Sequence, residues 1–351
     1  MKSTNMRLLR FVLWIVILFS DACSSLGTKI ASSPASTPMN TPAHPATTEP
    51  TLINTPMFPP ATVVSTLLPF TGTIAFLGGS GNHDHIYVMN ADGSGVKDIT
   101  PPNLLSILDL TWSPGAQYIA FDAATNLMLI RQIYKMKADG SDLTQLTFGQ
   151  QSSYGPSWSP DGNHIIFTHN NENIQDEFGY PAQQLYIMKS DGTGVQQLIG
   201  GNQSISAYSY RNDGFISVST PVTRDLMNTF IIDSEGVIQT QFPAFTNDMI
   251  PAWSPDGKTI VSTTTRPTDC SGIVVMKFDG SDEVCLRIEG IIWPPTATGS
   301  ASWSPDGKYI IFSAMLDGKW NLYVSKPDGT DLIQLVNLSV DVGSAVWSAG
   351  P

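Results

Sequence analysis

A short motif, Trp-Ser-Pro-Asp-Gly-Lys, occurs twice without change, at Trp253 and Trp303. Variants of the motif begin at Trp112, Trp158, Tyr208 and Trp347. The six copies start about 45 to 50 residues apart, a spacing typical of repeat architectures rather than of a single active-site motif. The repeat therefore constrains the fold more than any other feature, and its conspicuous residues are predicted to be structural.

Each repeat contains four short segments rich in β-branched and aromatic residues. After the Trp-Ser pair at Trp303, for example, come Tyr-Ile-Ile-Phe from Tyr309, Leu-Tyr-Val-Ser from Leu322 and Leu-Ile-Gln-Leu-Val from Leu332. Such runs, separated by turn residues, are predicted to be β-strands. The tryptophan of each repeat is predicted to pack between adjacent sheets.

The turns between these segments explain the acidic residues that recur from one repeat to the next. Asp-Gly, as at Asp139 and Asp328, supplies the positive φ angles of a tight hairpin. Pro-Asp-Gly presets φ at proline and ends in the same permissive glycine. These aspartates are therefore predicted to be hairpin residues; calcium binding, for instance by Asp279 with Asp282, is the less favoured interpretation.

Four-stranded units at this period predict an all-β fold, a six-bladed β-propeller. The first repeat starts at Thr73 with the equivalent of a second strand and lacks its Trp-Ser strand. The segment Gly-Ser-Ala-Val-Trp-Ser, ending at Ser348, supplies one. We therefore expect the ring to close by pairing of this C-terminal strand into the first blade, which removes an exposed sheet edge.

Residues 1–22 are predicted to be a signal peptide. Basic residues (Lys2, Arg7 and Arg10) precede an apolar run from Phe11 to Phe19, which is too short to span a bilayer. The junction Ser-Asp-Ala-Cys resembles a bacterial lipobox, whose cysteine becomes lipidated. Cys23 is the predicted lipidation site, although Ser20 and Asp21 depart from the pattern; cleavage near Ala22 without acylation is the alternative.

Residues 23–70 are predicted to be a disordered tether, and residues 71–351 the propeller. From Ser24 to Phe70, 24 of 47 residues are Ser, Thr or Pro, and only Lys29 and Glu49 are charged. So few apolar side chains cannot offset the entropy of ordering the chain. A domain on such a tether would stand clear of a membrane surface.

The charge of the chain argues against nucleic acid as a partner. The net charge is −12, and removal of residues 1–22, which carry +2, leaves −14. Nucleic acids and anionic lipids both require a basic face. Membrane contact is therefore expected only through a lipid anchor, and the protein is expected to be a monomer.

Two cysteines lie in the propeller, Cys270 and Cys285. In an exported protein they could form a disulfide. A hairpin centred on Asp279 and Gly280 would place Cys285 opposite about residue 274, so a bond requires the chain near Asp269 to fold back. Two separately buried thiols are the alternative.

The repeated motif, with Leu-Tyr-x-Met and with Asp-Gly-Ser/Thr followed by Gln-Leu-Thr, resembles the TolB-type propeller repeat from about Thr71 to Pro351. Relatives of this repeat occur in the periplasmic TolB protein and in propellers that cap prolyl-oligopeptidase-like enzymes. The copy near Tyr208 departs most, because Tyr208 or Tyr210 replaces tryptophan. The helical domain that precedes the TolB propeller is replaced here by the tether. The resemblance implies an envelope location and, only loosely, a role in envelope transport.

Binding is predicted on the face opposite the Trp-Ser-Pro and Asp-Gly turns, where the repeats vary. The longest loop there is predicted from His169 to Gln184, and a second follows Arg287. Aromatic groups beside acids suit a peptide or a carbohydrate; a solvated insertion is the alternative. The candidate binding residues are Glu172, Asp176, Glu177, Phe178, Tyr180 and Trp293.

The sequence contains no pattern of an enzyme. It has no Gly-x-Ser-x-Gly elbow and no Walker-type loop, so no catalytic residue and no cofactor are predicted. His83 and His85 could face one way on a strand, but no third metal ligand is visible, and no metal site is predicted. His164 and His169 flank a strand and are predicted to be structural.

These features predict an exported, lipid-anchored binding module of the cell envelope, on the outer side of the cytoplasmic membrane or in the periplasm. Its partner would be an envelope protein or glycan. The alternatives are a polysaccharide lyase or hydrolase that uses acids of the central channel, or a purely structural envelope component.

Overall fold

The computed structural model describes residues 70–350, except for 80–84, 126–129, 177–178, 202–203, 206, 224–225, 242–247, 267–269, 280, 287–290, 293–299, 317, 337 and 339. The predicted signal peptide, the lipidation site Cys23 and the tether up to Pro69 lie outside the described residues. So do Glu177, Phe178, Trp293 and His83.

The described residues form six antiparallel sheets, which are the blades of a propeller. The first blade consists of β1 (Thr73–Gly79), β2 (His85–Asn90), β3 (Lys97–Asp98) and the last strand of the chain, Asp341–Ser348. The second consists of β4 (Leu110–Trp112), β5 (Tyr118–Ala124), β6 (Arg131–Lys137) and β7 (Thr144–Gln145), with a 3-10 turn at Pro114–Ala116. The third consists of β8 (Ser153–Trp158), β9 (His164–Gln175), β10 (Pro181–Lys189) and β11 (Gln196–Ile199).

The remaining blades repeat this order. The fourth consists of β12 (Ala207–Tyr210), β13 (Ile216–Thr223), β14 (Leu226–Ile232) and β15 (Ile238–Gln241). The fifth consists of β16 (Asp248–Trp253), β17 (Thr259–Arg266), β18 (Cys270–Lys277) and β19 (Val284–Leu286). The sixth consists of β21 (Ala301–Trp303), β22 (Ile310–Leu316), β23 (Lys319–Ser325) and β24 (Ile333–Gln334), and the short β20 (Ile291–Ile292) also pairs with β22.

The predicted ring closure is confirmed. The last strand, β25 (Asp341–Ser348), pairs antiparallel with β1, and Trp347 lies opposite Ile74. Its side chains Val342, Ala345 and Trp347 are buried in one cluster with residues of the sixth blade such as Val324. The first blade is therefore assembled from both ends of the propeller.

The predicted packing of the tryptophans between sheets is also confirmed. Most of the indole N–H groups donate to the preceding blade: that of Trp112 to the carbonyl of Val346, and that of Trp303 to the carbonyl of Ala252. Each hydrophobic cluster that contains Trp112, Trp158, Trp303 or Trp347 draws on two neighbouring blades. The core is thus a series of contacts between blades, and each blade depends on its neighbours.

The acidic turn residues act as predicted. In five turns a serine or threonine hydroxyl donates to the aspartate two residues earlier at 2.6–2.7 Å, namely in the pairs Ser94–Asp92, Ser141–Asp139, Thr193–Asp191, Ser281–Asp279 and Thr330–Asp328. These hydroxyls hold the pKa of the five aspartates below its ordinary value. Asp282, the other residue of the calcium alternative, pairs with Lys277 at 2.6 Å.

One prediction needs correction: the segment from His169 to Gln184 is mostly not a loop. β9 continues to Gln175 and β10 begins at Pro181, so the segment is a long β-hairpin, with Gln183 opposite Asn170. Its extension is exposed at Glu172, Asn173 and Gln175, and polar residues occupy most of β9 there. The alternation of apolar and polar residues that marks a strand is therefore missing.

Candidate functional site

The two faces of the propeller differ in how regular they are. Antiparallel strands place the Trp-Ser-Pro and Asp-Gly turns on one face, which we call the turn face. The hairpin ends between the second and third strands of each blade, and the connections between blades, lie on the other face, which we call the loop face. The predicted binding residues that the structure describes all lie on the loop face.

The tip of the β9–β10 hairpin is held by hydrogen bonds within the tip and to the connection that follows β11. The carboxylate of Asp176 accepts from the backbone N–H of Tyr180 at 2.9 Å and from the hydroxyl of Ser204 at 3.0 Å. Asp176 therefore positions the hairpin rather than remaining free for a ligand. Glu172 is exposed on β9, and the ring of Tyr180 is exposed at the tip.

Large exposed apolar side chains fall into two groups. One group repeats at the periphery, where the fourth strand of a blade begins or just before it, as Val96, Leu143, Val195, Val237 and Val284. Among the residues that the structure describes, the other group lies on the loop face of the second and third blades, with exposed fractions of 44% for Leu105, 43% for Leu108, 72% for Phe148 and 53% for Tyr180. We call these four the loop-face apolar residues.

The positions of the loop-face apolar residues follow from the connections that carry them. Leu105 forms a bridge with Ala124 at the end of β5. Phe148 lies in the connection whose carbonyls, at Gly149 and Gln151, accept from the amide of Gln132. Three of the four were missed from the sequence, because an isolated leucine or phenylalanine in a connection has no periodicity to mark it as exposed.

An axial channel runs between the innermost strands of the six blades. A cavity of about 370 Å³ there is lined by residues of all six blades, among them Asp109, Tyr154, Ser209, Pro251, Ser300 and Ser344. This volume lies in the range of about 300–1,000 Å³ of small-ligand sites. Within the described lining, Asp109 is the charged side chain.

A group of charged side chains adjoins this channel at the loop face of the second blade. Asp122 on β5 is fully buried and forms an ion pair with Arg131 at the start of β6, which is also buried. The backbone N–H of Asp109 donates to the other oxygen of Asp122 at 3.1 Å, and the Arg131 guanidinium donates to the hydroxyl of Ser106 at 2.9 Å. We call Asp109, Asp122 and Arg131 the charge cluster.

The two carboxyl groups of the charge cluster share one cation. Burial and the nearby Asp122 charge raise the pKa of Asp109 to about 7, against the opposing effect of Arg131. Burial also raises the pKa of Asp122, but Arg131 and backbone N–H groups bond directly to it and oppose the shift. Asp109 is therefore the carboxyl group that holds a proton near neutral pH.

Tyr208 ties the fourth blade to the third beside the same channel. Its hydroxyl lies within donating distance of the backbone carbonyl oxygens of Tyr154 and Gly155, and it accepts from the backbone N–H of Thr168 at 2.9 Å. Burial raises the pKa of Tyr208. A Cβ on Gly155, whose φ is +58°, would lie 2.7 Å from this hydroxyl, so the contact requires glycine there. Tyr210, opposite Ile216, is the residue in the place of tryptophan.

Replacement of Asp109 by asparagine should remove a pH dependence of stability. The unfolded pKa of aspartate is about 3.9, so the folded state binds this proton more tightly. The free energy of unfolding of the parent protein should therefore fall as pH rises from about 4 to 7. We expect Asp109→Asn to equal the parent in stability at pH 4 and to be more stable by about 4 kcal/mol at pH 8, since a shift of about three pKa units corresponds to that free energy; urea unfolding measures the difference.

A variant whose stability should change in the opposite direction with pH serves as the control for this prediction. The Arg211 side chain holds the pKa of Asp213 below its ordinary value. Asp213→Asn should therefore lose stability above about pH 4, where Asp109→Asn gains it. The same pH dependence in Asp109→Asn and the parent would contradict the assignment of the proton to Asp109.

The cysteines are only partly described. Cys285 lies opposite Val274, as the hairpin predicts, and it is disulfide-bonded. The side chain of Cys270, at the start of β18, lies outside the described residues, so the pairing of Cys270 with Cys285 stays a prediction.

Metal-ligating side chains are scattered in the described part of the chain. No group of three or more His, Cys, Asp or Glu residues there could hold a metal ion. The ring of His85 is bonded to Asp98 at 2.8 Å. His169 bonds to the hydroxyl of Ser153 at 2.9 Å, and burial lowers the pKa of His169.

Comparisons with known proteins agree with the fold. No family model matches the chain. A segment of 185 residues, 52% of this chain, is 29% identical to the "Uncharacterized peptidase YuxL" of Bacillus subtilis (strain 168) and spans only 25% of that protein. Among the residues that the structure describes, no helix has the length and apolar character needed to cross a membrane.

Solved structures with a similar fold include TolB from Acinetobacter baumannii, with a TM-score of 0.64 at 18% identity over 80% of this chain and 67% of that one. Hydrazine synthase from Kuenenia stuttgartiensis gives 0.63 at 14% identity, over 80% and 47%. A chain of a nidogen/laminin complex gives 0.56 at 10% identity, over 80% and 100%. The chain is thus a six-bladed β-propeller with the fold of the TolB structures.

Proposed function

We propose that this protein is an exported binding module that holds a protein of the cell envelope on the loop face of its second and third blades. The observation that carries the proposal is the exposure of Leu105, Leu108, Phe148 and Tyr180 together on that part of the loop face. Exposed aliphatic and aromatic side chains on a rigid scaffold are typical anchors of protein interfaces. Aliphatic leucines favour a protein over a glycan as the occupant of this face.

The geometry around these residues supports the same function. Asp176 fixes the hairpin that carries Tyr180, and Arg131 fixes the connection between Leu105 and Leu108 through Ser106. Residues held in place before binding lose less conformational entropy when a partner docks. The partner surface is expected to be apolar at its centre and not acidic, because the chain has a net charge of −12.

The location of the protein is part of the proposal. A signal peptide of residues 1–22, acylation at Cys23 and a tether up to Phe70 would hold the propeller outside the cytoplasmic membrane, in the envelope. The resemblance of the repeats to TolB, which is periplasmic, supports this location, as does the fold shared with a TolB structure.

Loss of two loop-face apolar residues should abolish partner capture. In cross-linking pull-downs from an envelope extract, quantified by mass spectrometry, we expect Phe148→Ser/Tyr180→Ser to recover at least about tenfold less of the partner than the parent, since hot-spot aromatics contribute about 2 kcal/mol or more each. Val195→Ser/Val237→Ser, which changes two equally exposed peripheral residues, should recover the parent amount. Equal recovery with both double variants would refute the loop-face site.

A second candidate function is favoured by one observation, the carboxyl group of Asp109 in the channel. A carboxyl group with a pKa of about 7 could act as a general acid or base on a polysaccharide. The partial match to a protein named as a peptidase also favours an enzyme. Depolymerising activity that disappears in Asp109→Asn would establish this alternative over the binding module or a purely structural role.

A further inference from the structure

A second cavity lies on the turn face, between the third and fourth blades. It has a volume of about 840 Å³, more than twice that of the axial cavity. The third blade lines it with residues that include Asp161, His164, Ile187, Lys189 and Gln196, and the fourth with Tyr210, Asp213, Phe215 and Asp233. We call this cavity the turn-face cleft.

The cleft is open because a contact that recurs between other blades is missing here. A Cβ on Gly162 would lie 3.7 Å from the Cδ atom of Pro114 in the preceding turn, and one on Gly307 would lie 3.5 Å from Cδ of Pro255. The equivalent glycine of the fourth blade, Gly214, has no such neighbour within 4 Å. At Gly214 the turn of the fourth blade therefore lacks the contact with the preceding turn that Gly162 and Gly307 make.

The turn of the fourth blade instead leans on the fifth. The guanidinium of Arg211, which stands where other turns have serine, lies 5.4 Å from the ring centre of Trp253 and 5.9 Å from that of Phe278. The amide of Asn212 donates to the carbonyl of Pro255. These contacts draw the turn towards the fifth blade and away from the third.

The tryptophan that fills the equivalent position in the other blades is also missing. Tyr210 stands there with a smaller ring, half-buried, and its hydroxyl has no hydrogen-bond partner among the described residues. Burial and the nearby Asp161 raise the pKa of Tyr210, so the hydroxyl stays protonated. The cleft therefore has an aromatic wall with a free O–H donor.

The remaining polar groups of the cleft indicate the chemical class of ligand that would fit it. Within the described residues, the Lys189 ammonium group and the Gln196 amide have no hydrogen-bond partner. The carboxylates of Asp161, Asp213 and Asp233 accept bonds within their own turns and keep free lone pairs. Three carboxylates disfavour an anion, whereas an apolar ligand would leave the donors unpaired. A ligand whose groups both donate and accept satisfies the whole set.

We propose that the turn-face cleft binds an uncharged oligosaccharide. Each sugar hydroxyl donates to a carboxylate and accepts from Lys189, Gln196 or Tyr210, and the apolar face of a sugar ring packs on the Tyr210 ring. The volume lies in the range of about 300–1,000 Å³ of small-ligand sites. The cleft is lined mostly by turn residues and by the ends of strands, so it offers little strand edge to which a peptide could add.

Three uncharged hexasaccharides, maltohexaose, cellohexaose and chitohexaose, serve as probes in isothermal titration calorimetry. We expect at least one to bind the parent protein with a Kd below 1 mM, which is about −4 kcal/mol. Tyr210→Trp, which restores the residue of the other repeats and fills the cleft, should weaken that binding at least tenfold. Gln196→Leu, an exposed position, gives a second variant whose folding is not in question.

The control separates this site from the loop face. Phe148→Ser/Tyr180→Ser should bind the hexasaccharide as the parent does, so failure of the protein-binding proposal leaves this test intact. Absence of binding by all three probes would overturn the inference. So would equal binding by the parent and by both cleft variants, or occupation of the cleft only by peptides from a random peptide library.

Discussion

A chain that ends at Val340 should lose at least about 5 kcal/mol of its free energy of unfolding, because it lacks β25. The loss follows from burial: Val342, Ala345 and Trp347 are all within the core, and burial of such side chains contributes about 1.5–3 kcal/mol each for the larger ones. Removal of β25 also leaves β1 as an exposed edge and removes contacts between the sixth and first blades. Since proteins are stable by only about 5–15 kcal/mol, we expect the truncated chain to unfold near room temperature, as measured by circular dichroism.

Addition of the missing strand in trans provides the control for this truncation. A synthetic peptide of residues 341–350 should restore part of the lost melting temperature, with a dependence on peptide concentration. A peptide with Val342→Asp and Trp347→Ser should not, because its side chains cannot enter the core. A truncated chain that melts at the temperature of the full chain would disprove closure by β25.

Arg131→Met should destabilise the protein by about 3–5 kcal/mol, the usual effect of leaving one member of a buried ion pair without its partner. Asp122 is fully buried and would keep only its backbone donors, while Asp109 stands beside it. Urea unfolding at pH 7 measures the loss. The effect should shrink below pH 4, where the carboxyl groups are protonated and no charge is left unpaired.

Two further variants test whether burial is the cause. Lys137→Met removes the same kind of ion pair at the surface, with Asp142, and should cost less than about 1 kcal/mol. Asp122→Asn/Arg131→Met should recover part of the stability lost in Arg131→Met, because it leaves no unpaired charge at this position. Equal losses in Arg131→Met and Lys137→Met would show that the buried pair has no special weight.

The parts of the fold that repeat were predictable from the sequence. Trp303, its Pro-Asp-Gly turn and its following strands recur in register with their counterparts, so local turn chemistry and spacing gave the blades, their number and the closing strand. The place of aspartates such as Asp139 and Asp328 in the turns was predicted for the same reason, whereas their bonds to neighbouring hydroxyls were seen only in the structure.

The parts of the structure that carry the candidate sites were not predictable from the sequence, because they depend on contacts between strands and between blades. Asp122 and Arg131 lie on different strands and look like ordinary surface charges until the β5–β6 hairpin buries them. The extended β9–β10 hairpin shows no alternation of apolar and polar residues in β9, where Glu172, Asn173 and Gln175 are exposed. The turn-face cleft arises from a contact that Gly214 fails to make, and the sequence suggested that this face was the less promising one.

The stacking of Arg211 on the fifth blade also has a consequence for assembly of the ring. Neighbouring repeats with nearly identical sequence can exchange places during folding, which is a characteristic failure of repeat proteins. The motifs at Trp253 and Trp303 are identical, so their own packing distinguishes the fifth and sixth blades poorly. Arg211 meets Trp253 and Phe278 in one arrangement of the blades only; displaced by one repeat, it would face Trp303 and Pro327, and the aromatic contact with Phe278 would be lost. The irregular turn of the fourth blade therefore favours the native order of the blades.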